Sequence, residues 1–181
     1  MTLPSYLDVP LEYQEDDFSC VPVCIKMILE FVRMQNIGGY VPNMTVEEIS
    51  KAIGTDQDGT PLDTIEAINK KLLKSVPSVE FVVAENCSFD EADSEILKGR
   101  PVIAWVRIPH SHSIVVTGID KDSLIVKYND PEVGKKQMEL GRFISSWNES
   151  GNVLIKVKIG EKIQRIMPEY AEKIEEEAGV Q

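Results

Sequence analysis

The sequence predicts an α+β fold, in which helices near the N-terminus pack on an antiparallel sheet. Helical patterns dominate the N-terminal half, and apolar strand patterns joined by short links dominate the rest of the chain. Runs of helices followed by runs of strands are typical of this class. A chain of 181 residues, 43% of them hydrophobic, is also long enough to bury one substantial core.

The longest helical pattern covers residues 20–35. Its apolar side chains recur with the period of a largely buried helix, at Val23, Cys24, Met27, Ile28, Phe31 and Val32. Ser19 is a candidate N-cap, and Pro22 suits the first turn. Gly38 and Gly39 are expected to end the helix.

Three further helices are predicted after the first. Residues 45–54 open with the capping pattern Thr-x-x-Glu and close on a glycine, and residues 88–99 also close on a glycine. Residues 61–75 form a longer amphipathic pattern with a proline at its start.

Five strands are predicted from apolar or alternating patterns, at 79–85, 100–108, 112–120, 123–130 and 152–160. A short polar turn joins the third strand to the fourth, so these two are expected to form an antiparallel hairpin. We expect the folded domain to cover residues 1–160, and residues 161–181 to form a C-terminal acidic helical extension.

Charge and composition exclude several classes of partner. The net charge is −11, with 19 basic and 30 acidic residues, which argues against a nucleic acid. No apolar run approaches the ~20 residues of a membrane span, and the N-terminus has no pattern of a secretory signal. Three cysteines do not suggest a disulfide framework, so a cytoplasmic location is expected. The sequence gives no oligomeric state.

The predicted hairpin brings two chemically useful side chains together. His112 lies where a loop enters the third strand, and Asp130 ends the fourth strand, just before Pro131. In an antiparallel pair, the start of one strand lies beside the end of its neighbour, so His112 and Asp130 are expected to touch. A carboxylate beside an imidazole fixes the tautomer of the ring and supports its charged form.

Cys20 is the candidate nucleophile. The N-terminus of a helix favours the thiolate form of a cysteine through its dipole and free N–H groups, and a charged histidine nearby adds to this. Cys24 lies one turn deeper in the apolar pattern and is interpreted as a core residue. Gln14 could donate its side-chain amide to an oxyanion, with the Cys20 backbone N–H as a second donor.

The ordered set resembles the bacteriocin-processing, double-glycine-leader peptidases and their stand-alone peptidase-like relatives. The matching elements are Gln14, then Cys20 opening a helix, His112 in "HSIVVTG" and Asp130 in "NDP". The stretches "TVEEISKAIGT", "DGTPLDTI" and "LKGRPVIAWV" also agree, so the resemblance covers roughly residues 7–147. The family pattern has Gly directly after the cysteine, whereas this chain has Val21.

The resemblance implies a papain-like cysteine peptidase fold and a thiol hydrolase that cleaves a peptide or other acyl substrate. It assigns Cys20 as nucleophile, His112 as general base and then acid, Asp130 as the residue that orients His112, and Gln14 as oxyanion donor. No cofactor and no metal are expected. Val21 is expected to narrow the approach to Cys20, because a β-branched side chain stiffens that turn.

Other interpretations remain open from the sequence. The same residues could serve an acyl or amide transferase that excludes water, or a binding module that keeps the fold without turnover. Cys20, Cys24, His110 and His112 are residue types that suit Zn²⁺, although their spacing is not that of a zinc finger. His110, which follows a proline in a loop, is interpreted as a solvent-facing side chain.

Overall fold

The fold is known from a computed structural model that describes residues 6–36 and 40–160. Its helices are α1 (Cys20–Gln35), α2 (Val46–Ile53), α3 (Ala67–Lys71), α4 (Phe89–Leu97) and α5 (Leu140–Asn148). Its strands are β1 (Val79–Ala84), β2 (Val102–Arg107), β3 (Ser111–Asp120), β4 (Ile125–Asp130), β5 (Gly134–Glu139) and β6 (Leu154–Ile159).

The six strands form one sheet in the order β1-β6-β2-β3-β4-β5, and every pair in it is antiparallel. The predicted α+β class and the predicted hairpin of β3 and β4 are therefore confirmed. The helix predicted within 161–181 lies outside the described residues. Within those residues, no helix is both long enough and apolar enough to cross a membrane.

Helix α1 packs on one face of the sheet and forms the centre of the larger core. Its inward side chains, such as Val23 and Ile28, are fully buried in the same cluster as Ile103 of β2 and Val115 of β3. The opposite face of the sheet is covered by α4 and α5, with Trp147 in a second cluster. Because β2 and β3 are buried on both faces, their sequences are continuously apolar instead of alternating.

The ends of α1 differ from the prediction. Ser19 holds the N-cap position, but its side chain makes no capping hydrogen bond. Asp16 Oδ1 accepts hydrogen bonds from the backbone N–H groups of Phe18 and Ser19, just before the helix, at 3.0 and 2.7 Å. At the other end, Asn36 adopts a left-handed conformation (φ 51°), which already ends the helix. The glycines expected to stop it fall outside the described residues.

The prediction of one long helix over residues 61–75 is wrong. The structure has a 3₁₀ turn at Leu62–Thr64 and then the short helix α3. Polar side chains tie this segment to its neighbours, since the Thr64 hydroxyl donates to the Ile53 carbonyl and Asn69 bonds to the backbone of Phe81. Such side-chain bonds to neighbouring backbone compete with a continuous helix. The predictions for 45–54 and 88–99 are confirmed, each with a complete capping box.

Strand β5 and helix α5 were not predicted. The central residues of β5 are exposed at the sheet edge, so "GKKQME" lacks the alternation that identifies a strand. In α5 the apolar signal is the pair Phe143 and Trp147, four residues apart and both buried. The strand expected at 152–160 is consequently the sixth strand, not the fifth.

Asn69 is expected to stabilise the fold by capping the free edge of β1. Its amide bonds both backbone polar groups of Phe81, at 2.7 and 2.9 Å. Asn69→Ala would leave these groups without a partner, so we expect the free energy of unfolding to fall by about 1–3 kcal/mol in urea titrations. Lys70→Ala, on the exposed side of α3, serves as control and is expected to change it by no more than about 0.5 kcal/mol. Equal effects of the two changes would contradict this role.

Candidate active site

The sheet places His112 and Asp130 in direct contact. His112 is the second residue of β3 and Asp130 the last of β4, and the pairing of Val115 with Asn129 brings these strand ends together. The His112 Nε2 and Asp130 Oδ1 atoms are 2.8 Å apart, and the residues are only 5% and 9% exposed. The same oxygen accepts hydrogen bonds from the backbone N–H groups of Glu132 and Val133. The carboxylate is therefore held against one nitrogen of the ring.

Cys20 shares a cleft with His112. The cleft has a volume of about 330 Å³, and Cys20, Val21, Trp105 and His112 form part of its lining. Cys20 is the first residue of α1 and is half-buried, whereas Val21 is almost completely covered. Since Nε2 of His112 is bonded to Asp130, Nδ1 is the ring nitrogen left for a partner on the Cys20 side.

The surroundings hold His112 in its charged form. Burial alone lowers the pKa of this imidazole, but hydrogen bonds with Asp130 and Cys20, together with their charges, raise it to about 9. Burial likewise raises the pKa of Asp130, yet its bond to His112 and those from the backbone bring it below its ordinary value. The pair is thus an imidazolium bonded to a carboxylate at neutral pH.

This pair is expected to make folding stability depend on pH. The folded-state pKa of His112, about 9, exceeds the ordinary value of 6.5, so its contribution is complete below about pH 6.5 and lost as pH rises through 9. The contribution of Asp130 is present above its ordinary pKa of 3.8 and lost as pH falls through its lowered value. Urea titrations of wild type and His112→Gln should show their stability difference shrinking by on the order of 3 kcal/mol between about pH 6.5 and 9.5. A constant difference would contradict the ion pair.

Cys24 is separated from the cleft, as its place in the apolar pattern predicted. The residue is fully buried, and its thiol donates to the Ser113 carbonyl oxygen at 3.4 Å. Burial raises the pKa of this thiol well above its ordinary value, and the charges of Cys20 and Asp130 raise it further. Cys24 is therefore a protonated core residue. All three cysteines lie in the described part of the chain, and each is free.

Gln14 is anchored beside the pair. Its backbone N–H donates to the Pro131 carbonyl oxygen at 2.8 Å, which ties the N-terminal segment to the chain just after Asp130. Its side-chain nitrogen donates to the Asp16 carbonyl at 2.7 Å, and no partner bonds its buried Oε1 among the described residues. One of the two side-chain N–H groups of Gln14 is thus bonded within the protein, and the other is left to donate to another acceptor.

One wall of the cleft was not predicted from the sequence. Residues 57–60 line the cleft near Cys20, in a turn closed by a two-way backbone pairing of Asp56 and Gly59. The sequence "DQDGTP" predicts the turn, and Gly59 supplies its left-handed conformation (φ 99°). Nothing in these residues indicates which surface the turn faces. Trp105 is half-buried at the cleft, whereas Trp147 belongs to the core.

The structure does not bring together Cys20, Cys24, His110 and His112, the four residues that the sequence offered as a zinc site. Among the described residues, Cys20 and Cys24 belong to no group of three potential ligands. The group that does form joins His110, His112 and Glu132, whose ligand atoms lie within 4.8 Å of one another.

The chain resembles known proteins in sequence and in fold. A family model described as the Peptidase_C39 like family matches residues 6–155. No curated protein sequence matches the chain. The fold resembles a double glycine motif protease from an AMS/PCAT transporter, solved in complex with the leader peptide, at 19% identity and a TM-score of 0.59. That match covers 85% of this chain and 94% of the other.

Two further solved structures share the fold. One is a protein from Bacillus anthracis described as a C39-like peptidase, at 14% identity and a TM-score of 0.68, covering 88% of this chain and 100% of the other. The other is the peptidase domain of Streptococcus ComA, a bifunctional ABC transporter involved in quorum sensing. It matches at 22% identity and a TM-score of 0.60, covering 82% of this chain and 97% of that domain. The similarity confirms the papain-like architecture suggested by the sequence.

Proposed function

The chain belongs to the Peptidase_C39-like family, and we propose that it is a cysteine peptidase that cleaves a peptide or amide bond with Cys20, His112 and Asp130. The observation that carries the proposal is the 2.8 Å bond of His112 to Asp130 beside Cys20 in one cleft. Nucleophile, base and orienting group are the parts that thiol acyl transfer requires. A family member of similar fold was crystallised with a leader peptide, which favours a peptide as the occupant of the cleft.

In the proposed first step, the Cys20 thiolate attacks the carbonyl carbon of the substrate and forms a C–S bond. The Nδ1 proton of His112 passes to the leaving nitrogen as the C–N bond breaks, which leaves a thioester on Cys20. Asp130 keeps the ring oriented throughout through Nε2. Water then attacks the thioester carbonyl while neutral His112 accepts its proton. The C–S bond breaks, Cys20 returns to the thiolate, and the acid product leaves.

The oxyanion formed in both steps needs hydrogen-bond donors. The Cys20 backbone N–H lies in the first turn of α1, where helical N–H groups have no partner within the helix. We propose the remaining amide N–H of Gln14 as the second donor. A reducing compartment such as the cytoplasm suits this chemistry, because the nucleophile must stay a free thiol.

Mass spectrometry of a peptide library incubated with the full chain tests the function. The proposal expects new C-terminal carboxylates that depend on Cys20. Adding a primary amine at high concentration separates the alternatives, because a transferase would yield mainly the amide product. If peptides are bound with neither cleavage nor transfer, the non-catalytic binding module is correct and the proposal is wrong.

A further inference from the structure

Both histidines of the chain lie close together, and one of them, His112, lines the cleft. The sequence has only two, His110 and His112, and Glu132 comes after the Asp130-Pro131 turn beside them. The His110 Nε2 and Glu132 Oε2 atoms are 3.6 Å apart, and the two histidine rings have centroids 5.7 Å apart. One ligand atom from each of the three residues lies within 4.8 Å of the others.

Two imidazoles and one carboxylate are a ligand set that zinc uses in proteins. With metal–ligand bonds near 2.0–2.1 Å, tetrahedral ligand atoms lie about 3.3 Å apart. The spacing of His110 and Glu132 is close to this value. These two side chains are 61% and 47% exposed, so they can adjust around an ion, while buried His112 supplies the fixed ligand.

We propose that His110, His112 and Glu132 form a Zn²⁺ site that inhibits the enzyme. The ion would replace a proton on a ring nitrogen of His112. A nitrogen bonded to a metal cannot exchange protons. If that nitrogen is Nδ1, the general base is lost, and if it is Nε2, the bond to Asp130 is lost. Zinc binding follows from the geometry alone, whereas inhibition also rests on the proposed function.

Zinc binding is measured on the metal-stripped full chain by competition with a chromophoric chelator. We expect one Zn²⁺ per chain, and affinity at least about tenfold weaker in His110→Gln and in Glu132→Gln, since each removes a ligand. Glu85→Gln, a change at an exposed carboxylate after β1, is the matched control and should keep wild-type affinity. Cys20→Ala should also keep it. No binding, unchanged binding in both ligand variants, or loss only in Cys20→Ala would overturn the site.

Inhibition is measured separately with a cleaved peptide. Zinc should inhibit the wild type, and His110→Gln and Glu132→Gln should keep activity without zinc but need at least about tenfold more zinc for the same inhibition. Full binding without inhibition would overturn the inhibitory role and leave the site intact. If no peptide is cleaved even without metal, the proposed function fails while the binding result stands on its own.

Discussion

Replacing Cys20 with alanine is expected to lower the rate of peptide-bond cleavage by roughly 10⁴-fold or more, since catalysis without the nucleophile relies only on substrate binding and oxyanion donors. The Cys20 side chain is half-buried in the cleft and is not part of the closed core, so its loss should barely change folding stability. The rate constant under saturating substrate, measured with urea stability on the same preparations, checks both expectations.

Cys24→Ala and Cys87→Ala are the matched controls for this change. Cys24 lies one helical turn from Cys20 but is buried and protonated, and Cys87 is buried in the second core cluster. Both variants should retain activity while losing some stability, because each leaves a small cavity. If activity is lost without Cys24 and survives without Cys20, the nucleophile is Cys24 and the proposed assignment is wrong.

The second large effect is expected at His112. His112→Ala removes both the base and the acid of the proposed cycle, and we expect a rate loss of roughly 10³-fold or more. The variant also leaves Asp130 as a buried carboxylate without its charged partner, so stability should fall by about 3–5 kcal/mol. The rate must therefore be compared under conditions where circular dichroism shows the variant folded.

His110→Ala is the control for this variant, because it removes the only other histidine and leaves the bond to Asp130 intact. It should retain the wild-type rate in metal-free buffer. A similar loss in both variants would mean that activity depends on the two neighbouring histidines together, and not on the His112–Asp130 pair.

The sequence predicted those parts of the molecule that depend on local rules. The period of α1, the capping box of α2 and the glycine that follows α4 are encoded within a few residues. The contact of His112 with Asp130 was also predictable, because a short turn forces antiparallel pairing and strand polarity then decides which ends meet.

The remaining features depend on tertiary contacts that no local pattern records. Asp16, not Ser19, supplies the side-chain oxygen that bonds the backbone just before α1, and the sequence pattern of a helix N-cap does not record such a contact. Asn69 interrupts a helical pattern by bonding to β1, and β5 is a strand only because β4 offers it an edge. The hydrogen bond from the Gln14 amide to the Asp16 carbonyl could not be predicted from the sequence either. The geometry of the oxyanion donors therefore could not be derived from it.

At Val21 the sequence and the structure give different kinds of information. The sequence indicated only that a β-branched residue comes after Cys20 where the family pattern has glycine. The structure shows that Val21 lines the cleft although its side chain is almost completely buried. That it narrows the approach to the Cys20 thiol stays a prediction.

The central claim is that His112 activates Cys20, and site-resolved alkylation tests it without any knowledge of the substrate. Iodoacetamide is added near pH 6, and the rate at each cysteine is followed by mass spectrometry beside a free thiol. An imidazolium next to a thiol favours the reactive thiolate, so Cys20 should react faster than the free thiol in the wild type and lose this advantage in His112→Ala. Equal Cys20 rates in wild type and variant would contradict the claim.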